Sequence, residues 1–538
     1  MNGITAVAED LERALGDPRG DGPLSRRRVL ALDEAEAFPE DGAAALVQWG
    51  YPAWLVPEAS GGRLRGFDDL ILLGRLIARR DLTLAVATGQ SLLGALPVWI
   101  GGNLAQREQL AARLLRGAAG CLALTEEAHG SDLAGDELSA TADGDGWHLD
   151  GSKWCINNAS RGETLTVLAR TDPAGGPRGF SLFLVEKNAV SSGLRAAPRL
   201  RTHGIRGADI SGAIFERAAV SRDALIGREG HGLDLVLKSL QVSRTLCGAF
   251  SLGAADTALR LALDFVLDRK LYGATAWDIP VVRRALLEAF VDLLTAECVA
   301  LACARALTVL PNQTSVLSAV GKVVVPELAE GVLAACAKVL GARHYLRDGP
   351  AALFQKIQRD HAVVPLFDGS TSVNLYVISG QLERLTGARA ASGAVDALFA
   401  TDALAPFQPS ALQTSNRGAD DLLGSLDSLG GDLAATLVFE RDRAAKNAMA
   451  LAERDLRQDT PERFAAARRY ATLVAAACCL HQAASPGDLP VAWTTAAVRR
   501  LLGLPTADVT PLEPMLLDLH RRGRLFSRSP IQLAEGAV

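Results

Sequence analysis

Near Gly120 the hydrophobic period of this chain changes, and near Gly227 it changes back. Before Gly120, apolar residues recur at helical spacing. Residues 67–77 do so behind an Asp start, a second helix follows Asp81, and a third surrounds Gln106 to Leu115. Between the two glycines lie short runs of strand character at 138–142, 147–150, 164–169 and 180–185. Gly and Asp separate several of them, as in Asp143-Gly144-Asp145-Gly146 and Gly175-Gly176-Pro177, which predicts antiparallel strands. Amphipathic stretches then resume at 233–268 and 281–310, where Pro311 is a stop, and continue at 315–340 and 373–385. The expected class is α+β, mostly α: a helical domain, a middle β-domain and a helical bundle.

At 538 residues the chain is too long for one core. The pattern divides it into an N-terminal helical domain (1–119), a middle β-domain (120–227), a C-terminal helical bundle (228–387), a linker (388–430) rich in Ser, Gly, Asp and Pro, and a C-terminal helical extension (431–538). In the extension, Thr460-Pro461-Glu462 is a good helix start, and Ser485-Pro486-Gly487 a break. Apolar positions at helical spacing, such as Phe464, Tyr470, Leu473 and Val474, need a surface to pack on. A net charge of −5 gives no general attraction to nucleic acid or to membranes. Arg26-Arg27-Arg28 and Arg521-Arg522 read as solvated helix faces. The eight cysteines include no CxxC pair, so no metal is expected and buried thiols in a reducing compartment are. No apolar run approaches the roughly 20 residues of a transmembrane helix, and the N-terminus lacks the pattern of a signal peptide. Together these predict a cytoplasmic protein.

Six motifs lie in order on this frame. They are Val56-Pro57-Glu58-Ala59-Ser60-Gly61-Gly62, Leu122-Ala123-Leu124-Thr125-Glu126-Glu127-Ala128-His129-Gly130-Ser131-Asp132, Leu149-Asp150-Gly151-Ser152-Lys153-Trp154-Cys155-Ile156-Asn157-Asn158, Gly204-Ile205-Arg206-Gly207, Arg269-Lys270-Leu271-Tyr272-Gly273 and Phe367-Asp368-Gly369-Ser370. In this series the chain resembles the acyl-CoA dehydrogenase family, in its long form with an added C-terminal helical domain. The resemblance implies FAD as cofactor, with Leu122, Thr125, Gly130, Ser131, Cys155, Ile156, Asn157, Arg269, Lys338, Gly341, Ser370 and Ser372 at its site. It implies an acyl thioester substrate near Ser131, Gln241, Arg244 and Gly369, and Asp368 as the base that takes the α-proton. It further implies a homodimer or homotetramer, with a heteromer as the other arrangement, and electron-transfer flavoprotein or another acceptor as electron partner.

Several positions depart from the family pattern. Asp368 replaces a Glu, which retracts the carboxylate by roughly 1.5 Å, and Ser243 stands where a minority of the family carries an alternative Glu base. Cys155 replaces a Trp that covers the flavin. Trp154 is its neighbour, but adjacent strand residues point to opposite faces. Asn157 replaces a Thr, Pro280 and Lys338 replace Gln, Ala342 replaces a Gly, and Gln241 replaces an Asp that meets the pantetheine arm. Three readings follow. The first is FAD-dependent desaturation of a thioester on coenzyme A or acyl carrier protein. The second is a non-catalytic or FAD-site-sharing subunit of a heteromer. The third is a flavin oxidase or monooxygenase. The plain alternative for Asp368 is that it caps the helix beginning near Ser370.

Overall fold

A computed structural model describes residues 2–144, 146–387, 394–485, 489–505 and 507–534. Six helices open the chain: α1 (Asn2–Leu15), α2 (Arg26–Glu34), α3 (Glu40–Trp49), α4 (Asp68–Arg80), α5 (Leu82–Gly101) and α6 (Leu104–Leu115). Their ends follow local chemistry. Asp68 and Asp69 sit in the first turn of α4 and Arg79 and Arg80 in its last, each complementing the helix dipole. Asp81 caps α5 by accepting from Thr83 N, and Asn103 with Gln106 forms a capping box on α6.

The strands are β1 (Gly120–Ala123), β2 (Ser139–Asp143), β3 (Gly146–Asn157), β4 (Thr164–Arg170), β5 (Phe180–Glu186), β6 (Leu194–Ala197), β7 (Ile210–Ser221) and β8 (Leu225–Ile226). They form one sheet in the order β6-β7-β3-β2-β4-β5-β8, with β1 also on β4. The sheet is mixed, which corrects the purely antiparallel expectation. Most pairs are antiparallel, but β1 runs parallel to β4 from Gly120↔Thr164 to Ala123↔Val167. β1 enters directly from the helical layer and not from a hairpin, so no tight turn fixes its direction.

The bundle is α7 (Gly232–Asp268), a hairpin of β9 (Lys270–Leu271) and β10 (Ala274–Thr275), α8 (Pro280–Val309), α9 (Thr314–Leu340), α10 (Leu353–His361), α11 (Thr371–Ser379) and α12 (Leu382–Gly387). The stretch expected as one helix from 373 is two, because α11 closes at Gly380. α7 is the central pillar. It approaches α4 closely through small residues: a Cβ on Gly253 would lie 2.5 Å from the Ala78 methyl and 2.7 Å from Arg75 O. By length and composition α5 and α7 could cross a membrane; their apolar windows are 72% and 89% buried, as core helices are.

The segment expected as a loose linker is packed where it is described, from 394 to 430; residues 388–393 lie outside the described residues. It carries α13 (Asp396–Phe399) and α14 (Asp421–Gly424) and buries Leu398, Phe399, Leu412, Leu422, Leu423 and Leu426. Its backbone is bonded to the core: Arg305 reaches Ala397 O and Asp402 O, both at 3.0 Å, Phe407 N reaches Arg65 O at 2.9 Å, and Gln313 Oε1 accepts from Asp421 N. A segment whose polar backbone and leucines are both satisfied by the core is a strap across it.

Beyond the strap come α15 (Asp432–Glu453), α16 (Pro461–Ala484), α17 (Val491–Leu502) and α18 (Glu513–Arg521). As expected, Thr460 caps α16, and Tyr470, Leu473 and Val474 are buried. These helices pack on the bundle: Arg500 forms a bidentate pair with Asp292 at 2.9 and 2.6 Å, and Trp277 Nε1 donates to Glu513. Tyr470 donates its hydroxyl to buried Asp420 at 2.8 Å, which joins α16 to the strap. Burial pushes Asp420 up to about 6, so the folded chain holds that proton more tightly than the unfolded chain. The stability from this group is greatest below the usual carboxylate range and is lost as pH rises through about 6. Tyr470→Phe is therefore expected to cost about 1–3 kcal/mol, more at pH 8 than at pH 5. Urea unfolding at the two pH values measures it; equal losses would contradict the assignment.

Candidate active site

The loop after β1 is held from beneath by one buried cation. Lys153 of β3, 1% exposed, donates to Glu126 and Asp136, both at 2.8 Å, and to Leu124 O at 2.7 Å. Glu126 also accepts from Glu137 N and Leu138 N, so both ends of the loop share one carboxylate. Burial pushes Asp136 up to about 6 against the pull of Lys153. Thr125 O accepts from Trp154 N at 2.8 Å, locking the loop to β3. Leu122 is buried in β1, Gly130 is exposed, and Ser131 takes a left-handed conformation with φ +66°.

β3 is bulged between Trp154 and Ile156, where its register with β7 shifts, and Cys155 has φ +58°. The bulge resets the alternation, so Trp154 and Cys155 are both exposed while Ile156 and Asn157 are buried. This corrects the expectation that Trp154 and Cys155 face opposite ways, and it makes Cys155 the exception to the buried thiols. Asn157 is buried with both amide atoms unpaired. Leaving a buried amide unpaired costs about 1–3 kcal/mol. The bond from Trp154 N to Thr125 O sets the loop against this end of β3, where the unpaired Asn157 amide is buried and the Trp154 indole is exposed.

The carboxylate lies at the other side of α5. Asn158 Nδ2 donates to Ala87 O of α5 at 2.8 Å, and Ala85 and Gly89, on either side of Ala87, line a cavity of about 50 Å³. Its other walls include Tyr51, Leu93, Phe250 and Phe367, and Asp368 is on its boundary. The backbone is left-handed at Asp368 (φ +55°) and again at Gly369 (φ +93°). Arg244, from α7, donates from Nε to Asp368 O at 2.9 Å. A Cβ on Gly369 would stand 3.1 Å from Arg244 Nη2, so glycine is what lets the guanidinium close on the turn. The Cys247 thiol points at Asp368 Oδ2, 3.8 Å away. Burial raises Asp368 above the usual carboxylate range; Lys322, Ser243, Arg244 and Cys247 oppose the rise.

Asp368 does not cap the following helix. Ser370 does, its hydroxyl accepting from Val373 N at 3.4 Å, and Ser372 is exposed two residues on. Gln241 is turned away from the cavity. Its amide donates to Gln413 O of the strap at 2.8 Å and accepts from Thr314 at 2.6 Å, whereas Ser243, Leu246, Cys247 and Phe250 carry the cavity face of α7. The strap thus takes the contacts that the sequence reading reserved for substrate. Arg269 and Lys338 are exposed, and Arg343 packs 5.0 Å over Phe265, bringing the turn at Gly341 beside the end of α7. That end is 25 residues beyond Arg244, or about 37 Å along the helix. Arg269, Lys338 and Gly341 therefore lie apart from Asp368, which Arg244 holds. Sequence reasoning misses Lys153 as the anchor of the loop and Tyr51 and Phe250 as cavity walls; Lys153 belongs to the third motif, but its partners Glu126 and Asp136 carry no local signal of the pairing.

The chain thus combines a mixed sheet set between two helical regions with a carboxylate on the boundary of an apolar cavity, on the frame that the six motifs predict. The model for the acyl-CoA dehydrogenase middle domain matches residues 121–218, and that for the acyl-CoA dehydrogenase C-terminal domain matches 230–382. The chain is 30% identical over 355 residues to the probable acyl-CoA dehydrogenase FadE25 of Mycobacterium tuberculosis, covering 66% of this chain and 90% of that one. It is 28% identical over 362 residues to the mitochondrial short-chain specific acyl-CoA dehydrogenase of Homo sapiens, covering 66% and 85%. The chain belongs to the acyl-CoA dehydrogenase family. In fold it is similar to an acyl-CoA dehydrogenase of Bacillus anthracis complexed with FAD, with a TM-score of 0.72 at 18% identity, over 97% of this chain and 90% of that one. That match takes in the strap and the helices after it.

Proposed function

We propose that the protein oxidises the Cα–Cβ bond of an acyl thioester to the 2-enoyl thioester with FAD, and that Asp368 is the α-proton base. The observation that carries this is the Asp368 carboxylate on the boundary of an apolar cavity, with Arg244 clamping its turn. The apolar walls suit the acyl chain and exclude water from the carboxylate. FAD, when bound, supplies the acceptor for the hydride that leaves Cβ. Asp368 takes the proton from Cα, and its elevated proton affinity suits it to remove a weakly acidic proton near neutral pH. Thr125, Ser131, Cys155, Ile156 and Asn157 would hold the ring edge, and Trp154, outward by the alternation of β3 just before the bulge, would cover the ring in place of the family's Trp.

The second group, Arg269, Lys338 and Gly341, serves the cofactor of a neighbouring chain. Its separation of about 37 Å from Arg244 along α7 is the support, since one cofactor at the β-domain would not span both. Tyr272 and Tyr345, 98% and 81% exposed at that end, would be covered by the partner. This makes the protein a dimer or tetramer, with reduced flavin reoxidised by an electron-transfer flavoprotein or another acceptor.

Anaerobic titration of the FAD-loaded protein with thioesters on coenzyme A and on acyl carrier protein tests the proposal. Bleaching of the flavin with formation of an enoyl thioester is the expected result. A stable flavoprotein that neither carrier reduces would remove the catalytic reading and leave the heteromeric subunit. Rapid reoxidation by oxygen with peroxide release would favour the oxidase.

A further inference from the structure

Beside the base stands a buried cation that no motif singled out. α9 is almost wholly apolar from Val316 to Val325, yet Lys322 sits in it, 1% exposed. Its ammonium donates to Val364 O at 2.5 Å and lies 5.4 Å from the centre of the Phe367 ring. Val364 begins, and Phe367 ends, the short turn that delivers Asp368 into its left-handed conformation. Lys322 therefore grips the turn from one side while Arg244 grips Asp368 O from the other.

The charges around this point are few. From α7 come Ser243, Arg244 and Cys247, and from α10 comes His361, bonded to Ser251 and pulled down to about 4 by burial and by Lys322. Among the described residues Lys322 forms no salt bridge, and the groups nearest to it in charge are Cys247, Asp368 and Arg244. Burying an ammonium away from water is costly unless a counter-charge answers it. One backbone carbonyl needs only a neutral donor. The carboxylate of Asp368 is the counter-charge available.

We propose that Lys322 is a positioning residue for the base: it fixes the 364–367 turn and supplies the positive charge that keeps Asp368 ionised and ready to accept the α-proton. This rests on Asp368 being the base. The burial shifts are consistent, since burial lowers Lys322 and raises Asp368, and each charge opposes the shift in the other. During turnover the proton taken from Cα neutralises Asp368, leaving Lys322 the uncompensated charge, which favours return of the proton to solvent after product leaves.

The test uses the full chain loaded with FAD. In Lys322→Met the rise of the flavin-reduction rate with pH should move to higher pH. The rate below the wild-type midpoint should fall roughly tenfold, with the high-pH plateau largely kept. Lys322→Arg, which retains the charge, should restore the wild-type profile. A uniform loss at every pH, unrelieved by Arg, would overturn the proposal in favour of simple packing. A second arm needs no activity. Unfolding of Lys322→Met, Asp368→Asn and the double variant should show coupling, with Lys322→Met less costly in the Asn background because both charges are then gone. Equal costs in both backgrounds would overturn the pairing. If the wild type reduces no thioester, the catalytic reading fails by itself, and the unfolding cycle still decides whether Lys322 and Asp368 form a pair.

Discussion

Asp368→Asn is expected to lower the rate of flavin reduction by acyl thioester roughly 10²–10⁴-fold while leaving the fold and flavin content intact. The change is nearly isosteric, and the helix start does not depend on it, since Ser370 caps α11. Arg244 grips the backbone carbonyl of residue 368 and not its side chain, so the turn should persist. Stopped-flow reduction and thermal unfolding of the same sample separate the two effects. Retained reduction would remove Asp368 from the mechanism. Asp368→Glu is the companion. It restores the longer reach, but the added methylene must fit beside Cys247, already 3.8 Å from Oδ2. In both the wild type and the Glu variant, activity should rise with pH through a carboxylate held above its usual range, because the base must be ionised to accept the proton.

The main outlines were legible because they rest on local chemistry. Asp81 and Thr460 announce helix starts that the structure realises as caps, and the short apolar run 164–169 is legible as β4, a strand buried along the whole of that run. What failed was non-local. The bulge at Cys155 depends on how β7 is registered against β3, and no residue in β3 declares it. The strap reads as loose because it is rich in Ser, Gly, Asp and Pro, yet its backbone is satisfied by Arg305, Gln313 and Gln241, residues 97 to 172 positions away for the bonds to Asp402, Asp421 and Gln413. Gln241 comes to the substrate only through the resemblance, in place of an Asp that meets the pantetheine arm, and the strap competes for the same amide. Lys322 did leave a trace, a lone lysine in an apolar helix, which is a place where buried charge needs a reason.

Asp256→Asn should destabilise the protein by roughly 3–5 kcal/mol, through the network that ties both chain ends to the core. Asp256 of α7 is fully buried and accepts from Arg79 Nε at 2.6 Å, Arg75 Nη2 at 3.2 Å and Phe526 N at 3.0 Å. Glu12 of α1 pairs with Arg79 and Arg80, and Glu297 of α8 pairs with Arg75. Arg260 donates to Arg524 O and stacks 4.4 Å over Phe526, while Arg75 also donates to Phe526 O. Four guanidinium groups thus lean on three carboxylates, and removing one leaves excess positive charge where water cannot screen it. Burial opposes the ionised form of Asp256, but Arg79, Arg75 and Arg260 outweigh it and hold its carboxyl below the usual range. Its contribution is therefore present above the unfolded carboxylate pKa and lost as pH falls through the folded one, so the gap between wild type and variant should narrow in acid. The tail around Phe526 hangs on this residue, so the Asn variant should also lose protection of the Phe526 amide in hydrogen exchange before the rest of α7 opens. A loss under about 1 kcal/mol with the Phe526 amide still protected would mean that Glu12 and Glu297 alone hold the four arginines, and that the tail is fixed by packing.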